Sequence, residues 1–130
     1  MPAARRPADG LPSKEHAAAV SGAVDLNHLR RYTFGDQALE KEILSLFLTQ
    51  LAETMKALRE AASQQDWKIA AHTLKGSCRA VGAFRLGDLA QEAEHLGYGT
   101  DCAARTEAVS RIEEAAGDVR QFLKSAYGIA

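Results

Sequence analysis

At 130 residues the chain is one domain's worth of polypeptide, long enough to bury a hydrophobic core without disulfides or metals. A composition of 46% hydrophobic and 25% charged residues excludes a disordered chain, and a net charge of -1 excludes non-specific nucleic-acid binding as its main business. Two cysteines, Cys78 and Cys102, are too few for a disulfide scaffold, lack zinc-type spacing and suit a reducing, cytoplasmic setting.

Residues 1–24 read as a weakly ordered tail, punctuated by Pro2, Pro7 and Pro12 and poor in large apolar side chains. Arg5 and Arg6 run into Pro7, Asp9 and Gly10 with no apolar stretch behind them, so no secretory leader is expected. The longest apolar run, Ile43 to Leu48, is too short to span a bilayer, and no membrane association is expected. Residues 25–130 form one domain whose pattern is helical throughout. Asp25 is placed to cap a short helix carrying Leu26, Leu29 and Tyr32, which Phe34-Gly35-Asp36 interrupts. Asp36 caps a long helix reaching about Ser63, with Leu39, Ile43, Leu46, Phe47, Leu51, Met55 and Leu58 at spacings of three and four on one face. Asp66 reads as the next cap, for a helix from Trp67 to about Val81 that Gly82 stops. A fourth helix runs from near Phe84 to Leu96, and Gly97-Tyr98-Gly99 closes it. Thr100 or Asp101 then caps a last helix with Val109, Ile112, Ala116, Val119 and Leu123 turned inward. Four long helices on short links pack antiparallel, so the expected fold is all-α: an antiparallel four-helix bundle with the short N-terminal helix capping one end.

The chemistry sits on the third helix. At about 100° per residue, with Leu74 at zero, Trp67, Ala70, Ala71, Leu74, Ser77, Cys78 and Val81 fall within roughly 60° of Leu74 and form the buried stripe. Lys68, His72, Lys75, Gly76 and Arg79 take the opposite side. Exposed histidines and cations are ordinary, but glycine inside a helix costs roughly 1 kcal/mol relative to alanine. Gly76, one turn past His72 on the same face, therefore marks a place where something comes close. Neutral imidazole is a nucleophile near neutral pH, and the surrounding cations suit a phosphoryl group while disfavouring the imidazolium. The nearest carboxylate on this helix is Asp66, too far along to complete a hydrolytic triad.

The string His72-Thr73-Leu74-Lys75-Gly76-Ser77 resembles the signature of histidine-containing phosphotransfer (HPt) domains, the middle carriers of multistep two-component phosphorelays. Gly82-Ala83, Leu86, Leu89 and Glu94 follow at the family's spacing, and Gly35-Asp36, Phe47 and Asp66 precede it, so the resemblance covers roughly residues 26–97. It implies that His72 is the phosphoacceptor, that Lys75 steadies the phosphoryl oxygens and that Gly76 leaves room for the partner's active site. The implied partners are receiver domains of response regulators and a hybrid histidine kinase. The receiver brings the reacting aspartate and Mg²⁺, so this chain needs no cofactor or metal of its own and is a carrier rather than an enzyme. Docking is expected on the His72 face, through Lys68 and Arg79, with Phe47 of the second helix first among its apolar residues and Ile43 and Leu51 behind it. Plain core is the competing assignment for those three.

Two other functions compete. The bundle could hold a receiver or kinase without transferring phosphate, although a degenerate carrier usually loses His72, Lys75 or Gly76. It could instead be the dimerisation helix pair of a histidine kinase; Thr73 and the absence of any proline after His72 argue against that, and the expected state is a monomer.

Overall fold

The structure, a computed structural model, describes residues 22–99 and 101–129, so most of the expected tail lies outside the described residues. Those residues form five helices: α1 Leu26–Thr33, α2 Gln37–Glu60, α3 Gln64–Val81, α4 Phe84–Leu96 and α5 Cys102–Tyr127. The long helices contact one another in a closed ring, α2 to α3, α3 to α4, α4 to α5 and α5 back to α2. Links of a few residues leave each helix no choice but to run antiparallel to the one before it. The centre is filled by Leu44, Leu51, Leu58, Leu74, Leu86, Ile112 and Leu123, all within 2% of complete burial. Ala23 and Val24 are also buried, so core packing begins before Asp25, inside the stretch read as tail.

Local signals set the helix ends. The Asp36 and Asp101 carboxylates accept from the backbone N–H groups of Leu39 and Ala104, as N-caps do. At α3 the cap is Ser63, whose hydroxyl accepts from the Asp66 N–H; Asp66 lies inside the first turn and helps only through its charge. The cap expected at Asp66 is thus corrected to Ser63, one turn earlier, so α3 begins at Gln64 and not at Trp67. Gly82 ends α3 in the left-handed region, and its carbonyl accepts from the Asp25 N–H at 2.9 Å. A Cβ at Gly82 would stand 2.6 Å from the Asp25 carbonyl oxygen, so glycine is required twice over, by conformation and by space.

The face of α2 differs from the one expected. Its buried side chains are Glu40, Leu44, Phe47, Leu48, Leu51, Thr54, Met55 and Leu58, whereas Leu39 and Leu46 are 39% and 66% exposed. A run of apolar residues from Ile43 to Leu48 fits two overlapping stripes, and only the neighbours choose between them. Glu40 is the decisive position. It is wholly buried, its Oε2 accepts from the Thr33 hydroxyl at 2.8 Å, its Oε1 accepts from the Tyr127 phenol at 2.9 Å, and Arg30 stands 3.5 Å away. These contacts lock α1, the start of α2 and the end of α5 together.

Candidate functional site

The site is built where α3 meets α4. Trp67, Ala70, Ala71, Leu74, Cys78 and Val81 bury the inner face of α3, in agreement with the angular assignment; Ser77, at the edge, bonds back to the Thr73 carbonyl. Small side chains let the two helices approach closely. Gly87 of α4 sits against Arg79, where an added Cβ would lie 3.1 Å from the arginine Cγ. Near the other end of α4 the Trp67 indole N–H donates to the Ala93 carbonyl at 2.7 Å. With both ends pinned, the outer edge of α4 presents Asp88, Gln91 and Glu94 to the exposed face of α3.

His72 points outward, with 69% of its side chain exposed. Its Nδ1 lies 3.3 Å from Glu94 Oε2, and Lys75 Nζ lies 3.0 Å from Glu94 Oε1. One carboxylate from α4 thus holds two residues of α3. A hydrogen bond from His72 to an accepting oxygen requires the proton on Nδ1, which leaves the Nε2 lone pair facing solvent. The Lys75 contact is an ion pair made to an oxygen that is itself shielded from solvent. The Lys75 ammonium holds the Glu94 carboxyl below the usual carboxylate range; desolvation opposes it and His72 adds a smaller pull in the same direction. Nothing lies within 4 Å of the place a Gly76 Cβ would occupy, so the surface beside His72 is open.

The remaining expected residues divide. Lys68 is exposed and has no ion-pair partner among the described residues. Arg79 is turned to α4, where it donates to Gln91 Oε1 at 2.6 Å and Asp88 Oδ1 at 3.2 Å. The cations expected to bear on His72 are therefore largely paired, Lys75 with Glu94 and Arg79 with Asp88. Phe47 and Leu51 are corrected: at 4% and 0% exposure they are core residues, out of a partner's reach, because the true inner stripe of α2 runs through them. Ile43 is half-buried against the core. The exposed apolar residues on the α2–α3 side are instead Leu46 and Ile69, the latter 55% exposed.

Glu94 is the residue whose part sequence reasoning missed. The search for a carboxylate ran along the third helix, whereas the partner stands 22 residues away on the next one. The signal was present in the antiparallel pairing of two adjacent predicted helices, which brings the end of one beside the beginning of the other.

A family model described as the Hpt domain matches residues 42–124, well over half of the chain. The chain belongs to the Hpt domain family. No curated protein and no solved structure gives a significant match. Hpt domains are helical phosphotransfer carriers rather than catalysts, and they interact with receiver domains. The match spans α3 and α4 entire, with His72 and Glu94 between its limits. No described helix of this Hpt domain is long and apolar enough to cross a membrane.

Proposed function

We propose that this Hpt domain is a cytoplasmic phosphocarrier in a multistep phosphorelay, taking a phosphoryl group on His72 from the aspartate of a receiver and passing it to another receiver. The observation that carries the proposal is the His72 ring itself: Nδ1 is held against Glu94 while the other nitrogen stands free in water beside an unobstructed helix surface.

In the transfer, the Nε2 lone pair attacks phosphorus as the bond from phosphorus to the donor aspartate breaks and the carboxylate leaves. The N–P bond forms, and positive charge appears on the ring. The Nδ1 proton stays shared with Glu94, whose negative charge offsets that charge; this holds one tautomer and one ring orientation for attack. Lys75, one turn along and on the same carboxylate, can exchange part of its contact with Glu94 for the phosphoryl oxygens. The divalent cation is taken as the receiver's own, and Leu46 and Ile69 replace Phe47 and Leu51 as the apolar contacts.

The test is phosphotransfer from phosphorylated receivers. The wild-type chain acquires an acid-labile, base-stable label and His72→Gln acquires none. Label on another residue refutes the assignment. If His72→Ala leaves receiver binding and the cellular output unchanged, the chain is a binding module instead.

A further inference from the structure

A groove of about 500 Å³ runs between α2 and α3 on the side of α3 away from α4. It adjoins the His72 face, since Ile69, three residues before His72 and therefore its neighbour on the helix surface, lines it. Its exposed lining includes Ile69 and three carboxylates, Glu53, Glu60 and Asp66, and no lysine or arginine lines it. None of the three acids has an ion-pair partner among the described residues. The opposite edge of α3 has the reverse character: Lys68, Lys75 and Arg79 lie there, and the acids nearby on α4 are already paired with the last two. Charge therefore changes sign across the exposed face of α3, with His72 on the basic edge and the acid-rimmed groove beside it.

We infer that this division selects the receiver and fixes its orientation: the partner is a receiver that places lysine or arginine side chains over the Glu53–Glu60–Asp66 groove while its aspartate sits over His72. The inference rests on the phosphocarrier reading. A receiver's reacting site is itself acidic, so it is repelled from the groove toward the other edge, where Lys68 is the cation that no ion pair among the described residues engages. Basic side chains elsewhere on the same receiver gain three carboxylates that no ion pair among the described residues engages and an apolar contact with Ile69. Asp66 lies six residues from His72, roughly 9 Å along the helix axis, which is within one docking footprint. Exposed charges at such a rim act through encounter rate and the rejection of wrong partners more than through the chemical step.

The experiment is Glu53→Lys combined with Glu60→Lys, both exposed positions in the C-terminal half of α2 where lysine suits the helix dipole. Circular dichroism melting checks that the fold is kept. Transfer from a panel of phosphorylated receivers is timed at low and high salt, and His72 is also loaded with potassium phosphoramidate, which needs no docking surface. The expected result is a rise of about tenfold in KM for the receivers that serve the wild-type chain best, with kcat and phosphoramidate loading unchanged. The rise fades at high salt. Receivers with acidic side chains near the contact gain in rank. An unchanged KM across the panel overturns the inference, as does a loss that persists at high salt or falls on kcat. A wild-type chain that takes phosphoramidate label but none from any receiver overturns the carrier reading as well.

Discussion

Two glutamates do opposite work in this molecule. Glu40 is fully buried where α1, α2 and α5 meet, and both of its oxygens accept hydroxyl protons, from Thr33 and Tyr127. Glu94 stands at the α3–α4 seam, with the His72 imidazole on one oxygen and the Lys75 ammonium on the other. A wholly buried carboxyl with a hydroxyl donor on each oxygen and the Arg30 guanidinium 3.5 Å away fixes a structure. A carboxyl shared between an imidazole and a lysine has partners that can leave it, and that makes it useful to a reaction. Burial and saturation, rather than residue type, separate the two roles.

Substitution breaks this contrast in graded ways. The largest effect is expected from Glu40→Ala, which strands the Thr33 and Tyr127 hydroxyls and should cost about 2–4 kcal/mol in denaturant unfolding. Transfer per folded molecule should stay at the wild-type value, and a fall in that specific rate would make Glu40 part of the site. Next comes Glu94→Gln. It should slow transfer by about tenfold or more, equivalent to about 1.4 kcal/mol or more, with a stability change within about 0.5 kcal/mol. A large loss of melting temperature with normal transfer would reverse the assignments of the two glutamates.

Alkaline pH probes the core side of the comparison. Burial pushes the Cys78 thiol up to about 12, and burial together with the Glu40 hydrogen bond raises the Tyr127 phenol. Both groups are protonated when folded and ionise more easily when unfolded. Their contribution to stability is therefore complete below the unfolded thiol value near 9 and is lost as pH rises toward 12. Melting followed from pH 8 to 10.5 should show a loss of about 1–2 kcal/mol that is reduced in Cys78→Ala. An equal slope in wild type and variant would show that Cys78 does not contribute. The last effect, and the one of opposite sign, belongs to Gly76→Leu. With open space at that position, leucine should stabilise α3 by up to about 1 kcal/mol, and it should raise KM for receivers by occupying the surface they need. Unchanged KM would mean that the glycine is not there for access.

The stripe of α3 was legible from periodicity because its apolar and polar residues alternate cleanly at helical spacing, and His72, Lys75 and Gly76 followed from that one count. The C-terminal end of α4, the Asp36 cap and the Gly82 stop were legible from capping chemistry, which depends on neighbours in the chain. The inner face of α2 was not. Ile43 to Leu48 holds enough apolar residues to satisfy two stripes, and a buried Glu40 carries no hydrophobic signal; Leu39 and Leu46 were therefore placed on the inner face, and of the two assignments open for Phe47 and Leu51, docking and core, burial selects core. Sequence by itself thus determined the helices and the exposed setting of His72, which rest on interactions within a few residues, and through the short links it determined the bundle. Tertiary structure alone decided which carboxyl turns toward that histidine, which cations are already paired and where the apolar contacts lie, since those depend on side chains far apart in the chain that meet only after the helices pack.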